Sequence, residues 1–219
     1  MRKPSVAPSA CLFLASLLLP PAAAAQDPAP AATVAAPAPT AAAVGPQFAD
    51  DDLAPGDREI LARAAQMVGR WAMVQRVVQA VKARQQTPLP ADRVQAIDQA
   101  WQRGENPQGL ATALAKNECA QALQTLLAAN LGYAEALVTD EQGALVCMTQ
   151  RGSDFWQGDE ETWSRAWAGG SGAVFVSTSA PDPSTGLDVI HIAVPIKSAG
   201  RVIGVLIVAR IAAPDGGPG

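Results

Sequence analysis

The apolar residues of this chain keep one period up to Gly132 and another after it, and that switch restricts the fold more than any other feature. From Pro55 to Gln86, residues Ile60, Ala64, Met67, Trp71, Val74, Val78 and Val81 recur alternately four and three apart, the spacing that gathers side chains on one stripe of an α-helix. The spacing predicts one long amphipathic helix, opened by Pro55-Gly56-Asp57 and stopped by Thr87-Pro88-Leu89-Pro90. A shorter helix is predicted from Asp92 to Arg103, with Val94, Ile97 and Trp101 on one face. A third is predicted from Gln108 to Asn130, with Leu110, Leu114, Cys119, Leu123, Leu126 and Leu127 turned inward and Gly132 as its cap.

Beyond Gly132 alternation takes over. Ala134 to Thr139 and Ala144 to Thr149 read as two strands of a hairpin around Asp140-Glu141-Gln142-Gly143. A loop and a short helix follow, with Asp159 as the expected N-cap ahead of Trp163 and Trp167. Three further strands are predicted at Ala173–Ser179, Leu187–Ile196 and Arg201–Ile211, the last two turned by Lys197-Ser198-Ala199-Gly200. Helices first and strands after define an α+β domain in which the long helix and further helices pack on a five-stranded antiparallel sheet. The heptad-like stripe serves either that sheet or a homodimer through the N-terminal helix, and Gly69 within it permits close approach.

The N-terminus sets the expected compartment. Arg2 and Lys3 precede the apolar run Cys11–Leu19, and Ala22 to Ala25 supply small residues before Gln26, the layout of a signal peptide cleaved after Ala25. A run of about ten apolar residues falls well short of the roughly 20 that a bilayer span needs. Cys11 lies inside the run and not after it, which argues against a lipidated N-terminus. Residues 26–49, nearly all Ala and Pro, read as an extended tether, residues 50–212 as a single domain and residues 213–219 as a tail. A periplasmic location is expected. Removing Arg2 and Lys3 takes the net charge from −4 to −6, which excludes a nucleic-acid partner of the ordinary electrostatic kind. No membrane insertion of the mature chain is expected, since Gly204 and Arg210 interrupt its most apolar stretch, Val202–Ala212. Cys119 and Cys147 form either a single bridge, which an oxidising compartment preserves, or two buried thiols.

Three segments carry more specific information: Leu137-Val138-Thr139-Asp140-Glu141-Gln142-Gly143-Ala144-Leu145-Val146, Ser153-Asp154-Phe155-Trp156-Gln157-Gly158-Asp159-Glu160-Glu161-Thr162-Trp163, and Val194-Pro195-Ile196 followed by Ser198-Ala199-Gly200-Arg201-Val202-Ile203-Gly204-Val205. In this order, and with the upstream Ile97-Asp98-Gln99-Ala100-Trp101, they resemble the PAS-like extracytoplasmic sensor domains of the Cache (PDC) kind, over about Val74 to Val208. The resemblance implies a PAS-like fold with a pocket over the sheet, lidded by the connection after the second strand. It also implies a small organic ligand, carboxylate or amino-acid-like, and a membrane-bound signalling partner.

On that reading Trp156 and Trp163 are expected as apolar walls, with Arg151, Asp154 and Asp159 as polar contacts; the alternative is that the tryptophans are core and Asp159 only caps a helix. His191, the one histidine of the chain, faces either the pocket or the opposite surface of its strand, according to register. One His and no Cys cluster make a metal site unexpected, and Asp182 and Asp188 read either as calcium ligands or as part of a Pro-Asp-Pro turn. No cofactor is expected. The motifs of serine hydrolases, zinc proteases and phosphate-binding loops are missing from the sequence. The acids Asp159-Glu160-Glu161 sit at a helix start, where the macrodipole favours them without any catalytic demand. The chain is expected to be no enzyme but a binding module, or else an interaction scaffold with a filled pocket that works through its long helix.

Overall fold

The structure, a computed structural model, describes residues 45–213. The signal peptide, most of the tether and all but the first residue of the tail lie outside the described residues. Six strands, β1 (Gln47–Phe48), β2 (Tyr133–Asp140), β3 (Leu145–Met148), β4 (Phe175–Asp182), β5 (Leu187–Ser198) and β6 (Arg201–Ile211), form one sheet in the order β1-β4-β5-β6-β2-β3. Five of them pair antiparallel, with the first and last of the five, β2 and β6, side by side in the middle. The sixth is an addition at the edge. Gln47 and Phe48, assigned to the tether from composition, pair in parallel with Phe175 and Val176, because Phe48 brings apolar surface to the main core where the Ala/Pro stretch has none.

Alternation assigns the two sheet faces. Ala136 and Val138 of β2, Ile190, Ile192, Val194 and Ile196 of β5, and Leu206 and Val208 of β6 join the core beneath the N-terminal helices. Their neighbours Ala193, Val205 and Ile207 join a second cluster on the other face, with Trp163, Ala166 and Phe175.

The long helix is broken in two: α1 (Pro55–Ala72) and α2 (Gln75–Gln86), with Met73 closing the first and Val74 in an extended conformation opening the second. Neither Gly nor Pro marks the break. Its physical sense lies in the packing: α1 lies on β5 and β6, while α2 turns to α5 and β2, so the two halves follow different parts of a twisted sheet. The buried face of α1 is Leu61, Ala64, Ala65, Val68, Trp71 and Ala72, whereas Ile60 from the predicted stripe is exposed. With Ala64, Trp71 and Val81 of that stripe buried against the chain's own core, these residues are not free to form a dimer seam.

Helix α3 (Ala91–Gln102) buries Val94, Ile97 and Trp101 as the spacing predicts. The third predicted helix is also split, into α4 (Leu110–Lys116) and α5 (Glu118–Ala128). Asn117 is the cause. Its side-chain oxygen caps α5 by accepting from Ala120 N at 2.9 Å, and its amide donates to Val146 O at 3.0 Å, stitching the junction to β3. A disulfide between Cys119 and Cys147 ties the same two elements together. In the β2–β3 hairpin, Asp140 Oδ1 accepts from Gln142 N and Ala144 N, and Gly143 turns at φ +84°, a conformation that glycine adopts without steric cost.

Candidate functional site

The connection from β3 to α6 (Glu161–Trp167) crosses the sheet face opposite α1, and it is held from one side by α3. Asp98 Oδ1 accepts from both Phe155 N and Trp156 N at 2.9 Å. Trp101 Nε1 donates to Gly152 O at 3.0 Å, and its ring tilts against Phe155 with centroids 5.8 Å apart. Phe155 N–H and C=O are both used, the carbonyl accepting from Leu145 N at 3.1 Å. Arg151 lies over the Trp101 ring and donates to Trp101 O at 3.0 Å and Glu105 O at 2.8 Å. Two segments far apart in sequence, around Asp98-Trp101 and around Phe155-Trp156, are thus one anchor.

The expected apolar walls fall on that anchoring side or in the core. Trp156 donates to Gln142 O at 2.7 Å and packs on the cluster of Val94, Trp101, Leu145 and Phe155. Its indole lies where a Cβ on Gly158 would stand, which explains the glycine. Trp163 is buried, donates to Thr139 Oγ1 at 2.9 Å and stacks on Trp167. Neither lines the cavity described next, and nor does Arg151. Asp159 is exposed, and the N-cap of α6 is Glu160, without a side-chain cap bond. The helix starts two residues later than the acid that seemed placed to cap it.

Between the other side of the lid and the sheet lies a cavity of about 220 Å³. Its roof is Gly152, Ser153, Asp154, Gln157, Glu160 and Thr162; its floor is Glu135, Leu137, His191, Ile207, the end of β4 (Pro181 and Asp182) and the turn residues Pro183 and Ser184. Of the residues singled out as ligand contacts, Asp154 and His191 line this cavity, together with Glu135 and Asp182. The sheet register shows how. Glu135 of β2 and His191 of β5 both pair with Ala209 of the intervening β6, and directly opposed residues share a face. Asp182, the last residue of β4, joins the row of Glu135, Ala209 and His191. Ligating atoms of the three side chains lie within 4.8 Å of one another, a potential metal-ligand set, whereas the sequence reading expects no metal site and pairs Asp182 only with Asp188. Asp188 is exposed and apart.

The electrostatics are those of crowded negative charge. Glu135 is only 7% exposed, and burial pushes its carboxyl above the ordinary value, against hydrogen bonds from Ser184 and Gln150 and with the neighbouring Asp182 charge adding to the rise. Burial works the same way on Asp182, but donors from Ser184 N, Ser184 Oγ and Thr185 Oγ1 outweigh it and hold that carboxyl low. His191 is pushed down by burial, with Asp182 opposing. Glu160 is raised by burial first and then by Asp159 and Asp154. Ser184 Oγ stands 2.8 Å from Glu135 Oε2 and about as close to both Asp182 oxygens, yet a hydroxyl has one proton to give. It bonds the acids and not His191, so the order of a hydrolytic triad is not present in this cluster.

A larger groove of about 720 Å³ runs along α2, α4 and α5, lined by Ala80, Arg84, Leu110 and Leu114 among others. Among the described residues no helix is long and apolar enough to cross a membrane.

No protein-family model and no curated protein matches the chain. Solved structures do resemble it. The ligand-binding domain of the Pseudomonas aeruginosa PAO1 amino-acid chemoreceptor PctC, in complex with GABA, is 21% identical over 52% of this chain and 56% of its own, with a TM-score of 0.34. That of the Pseudomonas fluorescens chemoreceptor CtaA with L-valine is 16% identical over 70% and 54%, TM-score 0.39. The sensor domain of the V. cholerae histidine kinase DctB is 13% identical over 70% and 50%, TM-score 0.36. The chain spans about half the length of these domains. All are ligand-binding or sensor domains of chemoreceptors and a histidine kinase. In fold this chain is α+β, with helices packed on a six-stranded sheet in the order β1-β4-β5-β6-β2-β3.

Proposed function

We propose that this chain is the ligand-binding part of an exported, periplasmic sensor, which holds a small molecule by a positively charged group between lid and sheet and reports to a membrane-bound partner. The observation that carries the proposal is the sign of the cavity. Glu135, Asp154, Glu160 and Asp182 line it together with His191, and among the described residues no Lys or Arg does. Of the two ligand chemistries that the resemblance implies, four carboxylates disfavour a carboxylate and favour an amino group. The volume is below the roughly 300–1,000 Å³ of drug-sized pockets, which suits a molecule of amino-acid or diamine size. The scaffold alternative presupposes a filled pocket, and this one has room. Signalling would follow from the ligand's preference for the closed lid, which shifts the balance of two states.

The test is a thermal-shift panel of primary amines, diamines and amino acids against dicarboxylates of similar size. A ligand at 100 times its Kd adds about 2.7 kcal/mol to the state that binds it, a rise of several degrees for a domain of this size. Saturable rises with ammonium-bearing molecules, silent with succinate and lost in Glu135→Gln, are expected. A rise with succinate and none with the amines would overturn the assignment of charge.

A further inference from the structure

The structure assigns to Glu135, Asp182 and His191 a site for a divalent transition-metal ion of the zinc class, on the floor of the cavity. It rests on the reading of that cavity as a cation-binding site and names one cation for it. Four observations converge. The sheet row Glu135, Ala209, His191 sets a carboxylate and an imidazole on either side of an alanine, and Asp182 completes a set whose donor atoms lie within 4.8 Å. Zinc bonds of roughly 2.0–2.2 Å imply donor spacings of about 3.4 Å in a tetrahedron, so the side chains need draw in by only about an ångström. Glu135, more than nine-tenths buried, accepts hydrogen bonds only at Oε2, from Ser184 and Gln150, and Oε1 makes none. The His191 ring likewise makes no hydrogen bond among the described residues.

The donor set selects the ion. Calcium and magnesium take oxygen ligands, whereas one imidazole with two carboxylates suits zinc and its first-row neighbours. Three protein ligands leave a coordination position open, and here it faces Asp154 and Glu160 in the roof, where an amine or water completes the shell.

The experiment uses the full chain, dialysed against EDTA and returned to metal-free buffer, and titrates it with ZnCl2 by calorimetry and thermal shift. One saturable site is expected, reversed by EDTA, with affinity reduced tenfold or more in His191→Gln and in Glu135→Gln and unchanged in Asp188→Asn. X-ray absorption of the zinc-loaded wild-type chain reads the shell without any variant: one imidazole with oxygen ligands supports the site, and an all-oxygen or sulfur-containing shell overturns it. No saturable binding, or binding that both substitutions leave intact, overturns it as well. Amines that bind where zinc does not would leave the proposed function standing and remove the metal; zinc that binds where amines do not would keep the metal and remove the amine.

Discussion

The lid has two sides, and they are built by opposite rules. Toward α3, Arg151, Phe155 and Trp156 have their polar atoms bonded and their rings packed: Asp98 takes two backbone N–H groups, Trp156 finds Gln142 O and Arg151 finds three carbonyls. Toward the sheet, Asp154 and Glu160 look across about 220 Å³ at Glu135, Asp182 and His191, with one hydroxyl proton between two carboxylates and an imidazole without a hydrogen bond. The first side closes its hydrogen bonds within the anchor, whereas the second gathers four carboxylates and one imidazole around open space, with Asp154 also accepting from Gln102 and Ser153. The aromatic residues that make this stretch conspicuous belong to the first side, and the ligand side is made of small polar and acidic residues.

Substitutions can break this contrast. The largest effect is expected for Phe155→Ala, which empties a fully buried ring site beside Trp101 and should cost about 3–5 kcal/mol in denaturant unfolding. Asp98→Ala should follow at about 2–4 kcal/mol, since it strands two N–H groups in the anchor, and Asp98→Asn should restore most of the loss because its oxygen still accepts. Arg151→Ala should cost about 1–2 kcal/mol, through lost cation–π contact and carbonyl bonds. Asp159→Ala should change stability by less than about 0.5 kcal/mol and leave ligand affinity unchanged, as its side chain is exposed and caps nothing. If Asp159→Ala instead removed binding, the boundary drawn here between the two sides would be misplaced.

Much of this arrangement is legible in the sequence, but unevenly. The change of period at Gly132 yields the α+β class, the hairpin and the strand positions, because burial imposes alternation on strands that have one face in a core. The helix breaks at Val74 and Asn117 escape it, since the first follows how α1 and α2 pack on different elements and the second depends on a bond from Asn117 to Val146, 29 residues away. His191 is visible as a candidate, yet its face is settled only by the burial of Ile190 and Ile192 on the far side. Glu135 is missed because Tyr133-Ala134-Glu135-Ala136 carries no alternation strong enough to flag a buried acid, and its meaning depends on Ala209 and His191, more than fifty residues away. The Pro-Asp-Pro segment reads as a turn, whereas Pro181 and Asp182 end β4 and the turn begins at Pro183; Asp182 bonds Ser184 and Thr185 of that turn, and this local role hides its second one.

The most direct measurement is the unfolding free energy of Glu135→Gln beside the wild-type chain at neutral pH, in metal-free buffer and without ligand. The Gln side chain keeps the shape and the acceptor for Ser184 and Gln150 but removes a buried charge, so a carboxylate kept for a ligand and not for the fold predicts equal or greater stability. A loss of more than about 1 kcal/mol, on the scale of a broken structural hydrogen bond, would show that Glu135 belongs to the scaffold and would contradict the division of the lid into a side that holds and a side that binds.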